Sequence, residues 1–270
     1  MNLYTFAQTT TQDPRQNHLL AALPDCEWSR WLPHLEPVDL PVGRVLCESS
    51  SPTPFVYFPT TAIVSLQCTT AEGGTAEIAV VGNDGVVGVS MIMGGHSMLS
   101  RAVVQSAGRG YRLRSLMVTT EVERGGPALR LLLRYTQTLM TQVTQTAACN
   151  RHHAIEQQLA RRLLTALDRS PSHEFAMTQE GLACLLGVRR EGVTAAALKL
   201  QRAGVIRYQR GHIAVMDRNR LEQHACECYR AVAKENERLL PPSVAARHPA
   251  PKPLLTPTLT PTQLPMPLAA

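Results

Sequence analysis

The sequence contains no run of about 18 or more apolar residues, which excludes a membrane-spanning helix. Met1 to Leu20 lack the basic stretch and apolar core of a secretory signal, so the cytoplasm is the expected location. Cysteines are few and scattered: Cys26, Cys47, Cys68, Cys149, Cys184, Cys226 and Cys228, an odd number at wide spacings. Without an export signal, that pattern reads as reduced, mostly buried thiols rather than a disulfide framework. A Walker-type phosphate loop is also missing, and Gly82-Asn83-Asp84-Gly85 reads as a turn. No Ser/His/Asp or paired-carboxylate arrangement stands out, so an enzyme is not expected. Nor is a metal site. Cys226 and Cys228 sit two apart on a predicted helix and point to different faces. His152 and His153 fall at a helix junction, where histidines are usually solvated.

What the chain does have is enough apolar material for real cores. It spans 270 residues, 44% of them hydrophobic and 18% charged, which suits two modest domains. The net charge of +6 is divided unequally. Residues 1–125 carry 8 basic and 11 acidic side chains, whereas residues 126–270 carry 19 basic and 10 acidic. Such asymmetry points to a polyanion partner for the second half, with a basic solvated face as the alternative.

Residues 18–32 have short amphipathic helical spacing broken by Pro24 and Pro33. Short runs rich in β-branched or aromatic residues follow at 35–40, 44–48, 55–58, 62–69, 75–81, 86–89, 101–106 and 109–115. Turn residues separate them, and Glu72-Gly73-Gly74 is the best hairpin signal. The pattern predicts an antiparallel sandwich or roll. After Gly125-Gly126-Pro127 the period becomes helical, from Ala128 to about Asn150. A helix of that length outreaches a small β domain, so its apolar stripe is expected to meet a second copy or the second domain. A further helix is predicted over Ala154–Arg169, and a last one from Asp217 to about Leu240. Nine of the 19 prolines then crowd into residues 241–270, a composition unsuited to a packed core.

Residues 178–204 hold the densest signal. Thr178 is a plausible N-cap with Glu180 in the first turn, and Gly187 stands where a left-handed residue would end the helix. A second helix runs from Arg190 to Ala203, with Val193, Ala196, Ala197 and Leu200 along one face. This is helix-turn-helix spacing, although an ordinary helical hairpin shares it. Arg190, Glu191, Thr194, Ala195 and Arg202 fall on the outward face. Arginine can grip guanine O6 and N7 together, and a carboxylate can accept from cytosine N4. Gly192 and Ala195 are small enough to permit close approach of DNA. The alternating run Val205–Val215, folded about Arg210-Gly211, suits a two-stranded wing whose Arg207 and Arg210 reach phosphates.

Phe55-Val-Tyr-Phe-Pro59, Ala76-Glu-Ile-Ala-Val-Val-Gly82, the helix from Ile155 to Leu164 and Leu185-Leu-Gly-Val-Arg-Arg-Glu-Gly-Val-Thr194 together resemble the Crp/Fnr superfamily of bacterial transcription regulators, over nearly all of residues 18–240. The resemblance implies an α+β fold. Its parts are an N-terminal β-roll (a double-stranded β-helix or jelly roll), a long dimerisation helix and a C-terminal winged helix-turn-helix. Its boundaries would be a flexible N-terminus over 1–17, a cyclic-nucleotide-binding-like sensor domain over 18–126 and a dimerisation helix over 127–153. A winged helix-turn-helix over 154–220, a C-terminal helix over 221–240 and a Pro-rich disordered tail over 241–270 would complete it. In that family an Arg-Glu pair opens the recognition helix and contacts bases; Arg190 and Glu191 occupy those positions. The DNA-facing set is therefore Thr178, Arg189, Arg190, Glu191, Gly192, Thr194, Lys199, Arg202, Arg207 and Arg210, and the dimerisation set Leu132, Leu139 and Val143.

The chain also departs from that pattern. Gly192 replaces the usual threonine, Ala195 replaces a base-contacting arginine, and Arg189 replaces a capping serine, so a different operator is expected. Cyclic-AMP binders hold the ribose with a Glu after a Gly and the cyclic phosphate with an Arg-Ser pair. Here the corresponding candidates are Gly88, Val89, Ser100, Arg101 and Ala102, and cyclic AMP bound in the familiar way is not expected. The clustered N-terminal cysteines of iron–sulfur-binding members are absent, and no cofactor is expected. The implied partners are double-stranded DNA, a second copy of the chain, RNA polymerase and an unidentified small-molecule effector, with no membrane. The competing reading is a dimeric ligand-binding protein whose winged helix makes protein contacts.

Overall fold

A computed structural model describes residues 13–170 and 172–240. Residues 1–12 of the expected flexible N-terminus and the Pro-rich tail over 241–270 lie outside the described residues. Residues 13–17 are fastened down. Pro14–Gln16 form a single 3-10 turn, and the buried amide of Asn17 caps α1 and donates to Pro59 O at 2.9 Å and Gly85 O at 2.8 Å.

Pro24 splits the first helical segment into α1 (His18–Ala21) and α2 (Asp25–Trp31). Seven antiparallel strands follow: β1 (Glu36–Leu40), β2 (Val45–Cys47), β3 (Phe55–Pro59), β4 (Ile63–Thr69), β5 (Thr75–Val81), β6 (Arg101–Ser106) and β7 (Gly108–Arg114). They form two sheets, ordered β1-β7-β3 and β2-β6-β4-β5. The β4–β5 hairpin closes at Thr69↔Thr75 about the Gly-Gly step, as the sequence predicts. Residues 86–89 are no strand, contrary to expectation. Val87 makes one bridge to Tyr57, and the chain then turns through the 3-10 segment Val89–Met91, packed into the core. Leu40, Val64, Leu66, Val81 and Val104 are among the side chains buried within the β domain.

Next come α3 (Ser115–Arg124), which the pattern does not reveal, and α4 (Pro127–His152). One face of α4 lies on its own β domain: Leu132 and Tyr135 join Trp31, Phe58 and Leu113 in a second core. Buried threonines on this face return their hydroxyls to the helix, Thr136 to Leu132 O at 2.9 Å and Thr138 to Tyr135 O at 2.8 Å. Gln142 donates to Val80 O at 3.2 Å and accepts from Val80 N at 2.9 Å. These bonds help to cover β5, the edge strand of its sheet.

His153 and Ala154 adopt extended backbone and break α4 from α5 (Ile155–Asp168). The rest comprises β8 (Glu174–Ala176), α6 (Gln179–Leu186), α7 (Arg190–Arg202), β9 (Ile206–Gln209), β10 (His212–Val215), α8 (Arg218–His224) and α9 (Glu227–Leu239). A three-stranded sheet, β8-β10-β9, completes the wing. The long final helix expected from Asp217 is two helices, because Ala225 and Cys226 are extended. Asp168 ties this end to α5, accepting from Arg218 at 2.6 Å and from the Tyr229 hydroxyl at 2.9 Å. The winged domain's core of Leu159, Leu163, Leu182, Val193, Leu200 and Ile213 runs on into Ile63 and Val80 of the β domain. None of the helices is long and apolar enough to cross a membrane.

Candidate nucleic-acid interface

The Thr178 hydroxyl accepts from Gly181 N at 3.0 Å and caps α6. At the other end Gly187 takes φ +66°, ψ +32°, a left-handed conformation that turns the chain into α7. Val193, Ala196, Ala197 and Leu200 point into the core, as their spacing requires. A buried Val or Leu contributes about 1.5–3 kcal/mol, so this stripe fixes the rotation of α7 about its axis. Arg189, Arg190, Glu191, Ala195, Lys199 and Arg202 are left exposed.

Arg190 and Glu191 stand side by side in the first turn of α7, and among the described residues neither joins an ion pair. The wing lies alongside. Arg210 and Gly211 have φ of +49° and +79°, and the register Gln209↔His212 makes theirs a two-residue turn between β9 and β10. Arg207, Arg210 and His212 are exposed around it. His212 was missed by the sequence reading; its place beside the turn residues is the signal that would have found it.

Three members of the expected set have other duties. A Cβ on Gly192 would stand 2.6 Å from Ile155 Cδ1, the mobile end of that side chain, so Gly192 lies against α5. Thr194 is half-buried, its hydroxyl 2.8 Å from Gln179 Oε1 and 3.0 Å from Arg190 O with one proton to give, and the contact with Gln179 joins α7 to α6. The hydroxyl of Thr178 is occupied by its cap. Lys199 is exposed but has Glu156 Oε2 3.6 Å from its ammonium, and Arg207 has Glu174 Oε1 at 3.3 Å.

The dimerisation set needs correction. Leu132 is 2% exposed, buried against its own domain, and Leu139 and Val143 pack on the same side. The face turned outward carries Leu133, Gln137, Met140, Thr144, Ala147 and Arg151, alternating three- and four-residue steps. Leu132 is thus taken up by its own domain, while the outward face mixes Leu133, Met140 and Ala147 with Gln137, Thr144 and Arg151.

The effector candidates lie in unlike surroundings. Val89 belongs to one apolar core and Ala102 to another, Gly88 has φ +107°, and Ser100 is buried. Arg101 Nε lies 3.2 Å from Glu48 Oε2. A different arginine couples the domains: Arg162 of α5, 2% exposed, pairs with Glu77 of β5 and donates to Gln105. The Gly82–Gly85 turn adds a second contact, Arg169 Nε to Asp84 Oδ2 at 2.9 Å.

The expected separation of Cys226 and Cys228 also fails. Cys226 is the extended residue before α9 rather than part of a helix, so its side chain swings to the side of Cys228. His153, expected to be solvated, is half-buried beside them, with Nδ1 3.6 Å from Cys228 Sγ.

Residues 157–224 match the family model of the Crp-like helix-turn-helix domain. Solved structures extend the likeness to nearly their whole length. FixK2 from Bradyrhizobium japonicum superposes with TM-score 0.60 at 17% identity, covering 71% of this chain and 98% of that one. A Crp/Fnr-family putative transcriptional regulator from Eubacterium rectale gives TM-score 0.61 at 16% identity, over 77% and 98%. A CRP/FNR-family transcriptional regulator from Thermus thermophilus gives 0.56 at 21%, over 70% and 98%. At these identities the likeness is one of fold: β domain, long helix and winged helix-turn-helix follow the Crp/Fnr plan. No curated protein sequence matches the chain.

Proposed function

We propose that the chain is a sequence-specific DNA-binding transcription regulator of the Crp/Fnr type, acting as a homodimer on a pseudo-palindromic operator. One observation carries this reading: Arg190 and Glu191 lie together, exposed and free of ion pairs among the described residues, at the leading end of α7. That end of the second helix enters the major groove in this motif, where the pair can read a guanine and a cytosine. Arg202, Arg207 and Arg210 supply phosphate contacts beside it. The exposed seam on α4 offers a second copy its Leu133 and Met140, and two recognition helices would then fall about 34–36 Å apart on one DNA face. RNA polymerase is the further partner implied by the family plan, and the β domain receives a signal of unknown chemistry.

In vitro enrichment of bound duplexes from a random pool tests the reading. A recurring two-fold motif is expected; no motif at all would favour a winged helix used for protein contacts. Leu133→Glu with Met140→Glu should convert a dimer to a monomer by light scattering while the chain still folds cooperatively. If the double variant remains dimeric, the α4 seam is not the interface.

A further inference from the structure

Cys149 and His153 close the C-terminal turn of α4, one helical turn apart on one face. Cys226 and Cys228 open α9. These four residues, far apart in sequence, meet so that one donor atom from each lies within 4.8 Å of all the others. Cys149, Cys226 and Cys228 are 0%, 4% and 2% exposed, an enclosed cluster of three thiols with a single imidazole. We propose that this cluster is a mononuclear metal site of the Cys3His type, taking a tetrahedral divalent cation of the zinc class, which clamps α9 to the bend between α4 and α5.

The spacing suits one ion. Metal–sulfur bonds of about 2.3 Å and metal–nitrogen bonds of about 2.0–2.1 Å in a tetrahedron put two sulfurs about 3.8 Å apart and a sulfur and a nitrogen about 3.5 Å apart. Here Cys149 Sγ is 3.5 Å from Cys226 Sγ, and Cys228 Sγ is 3.6 Å from His153 Nδ1. A polynuclear iron–sulfur cluster spreads its cysteines over several irons and calls for wider spacing than this.

The surroundings are those of a ligated centre. His153 presents Nδ1 to the thiols while its Nε2 lies 3.1 Å from Glu227 Oε1. A carboxylate behind the imidazole is the arrangement that fixes tautomer and ring orientation in metal sites. Three thiolates around a dication leave one negative charge. The guanidinium of Arg161 lies near the thiols and supplies a positive charge beside them. Arg161 is itself buried, and its Nε is without a hydrogen-bond partner among the described residues. Binding of a divalent cation by three thiols releases their protons to solvent.

The test uses the full chain, reduced and titrated with Co²⁺. One ion per chain is expected, with sulfur-to-cobalt charge-transfer absorption and the ligand-field bands of a tetrahedral site, both abolished by one equivalent of Zn²⁺. Cys228→Ser should lose the site, Cys184→Ser at an exposed thiol should keep it, and Glu227→Gln should weaken it about 10- to 100-fold. Should the cysteine variants misfold, alkylation of the wild-type chain in mild denaturant, with and without zinc, still decides: zinc should slow the reaction of Cys149, Cys226 and Cys228 but leave that of Cys26, Cys68 and Cys184 unchanged. Failure of a folded, reduced chain to take up cobalt would overturn the proposal. So would cobalt bands that survive Cys228→Ser, an iron–sulfur spectrum in the purified protein, or zinc that leaves the three buried thiols unshielded.

Discussion

Helices α5 and α7 belong to the same small domain and put arginine to opposite uses. In α5 the guanidinium of Arg162 is 2% exposed and paired with Glu77 across the domain boundary. In α7 the guanidinium of Arg190 is exposed and in no ion pair among the described residues. Both helices are amphipathic, so an arginine's angular position about its own helix decides its use. A buried pair has been removed from water, and losing one partner strands a charge. An exposed guanidinium has given up little solvation and remains free to bind a base edge or phosphate. A basic domain can therefore hold its own sensor and present a surface to DNA with one residue type, provided the two sets face different ways.

The largest test of this contrast is Glu77→Ala, which leaves Arg162 buried and unpaired and should cost about 3–5 kcal/mol. Urea unfolding measures it. Replacing both residues, with Glu77→Leu and Arg162→Leu, should recover most of the loss, since an apolar pair of similar volume carries no stranded charge. A cost under 1 kcal/mol for Glu77→Ala would mean that the pair behaves as a surface contact and the contrast is empty. Asp84→Asn is a milder version. It removes the carboxylate held by Arg169, itself buried while Asp84 is partly exposed, and should cost about 1.5–3 kcal/mol.

For Arg190→Ala the expectation reverses. Unfolding should move by no more than about 0.5 kcal/mol, as for an ordinary surface change. Binding to the selected duplex should weaken by about 1–3 kcal/mol, with base preference relaxed at one position per half-site. An equal loss on every sequence would show that Arg190 touches only phosphate.

The same contrast explains what was legible in the sequence. The outward side of α7 was readable because Thr178, Gly187 and the Val193–Leu200 stripe fix local geometry through neighbours a few residues away. Gly192 also lies against Ile155, a residue on another helix whose approach no local spacing reveals. The pairing of Arg162 with Glu77 was invisible for the same reason: the two are 85 residues apart, and nothing in either segment shows that they meet. On α4 periodicity did reveal an apolar helix, but only the packed β domain shows which of its faces is already covered. The cysteines were misjudged by a single backbone step. Assigning Cys226 to the interior of a helix puts it on the face opposite Cys228, whereas an extended residue before α9 lets both sulfurs converge.

Arg207 lies between the two extremes. Its exposed ion pair with Glu174 at 3.3 Å is worth about 0–1 kcal/mol and is weakened further by salt. DNA can therefore compete for the guanidinium at little cost to the fold. Arg207→Ala should weaken binding by a similar factor on specific and random duplexes and reduce the slope of log affinity against log salt by about 1. Glu174→Gln should act in the opposite direction: freed from its carboxylate, Arg207 turns to phosphate and affinity rises slightly, most visibly at low salt. If Glu174→Gln instead lowers affinity, the pair is holding the wing in its binding geometry, and Arg207 belongs with Arg162 among the arginines that secure the domain rather than with Arg190.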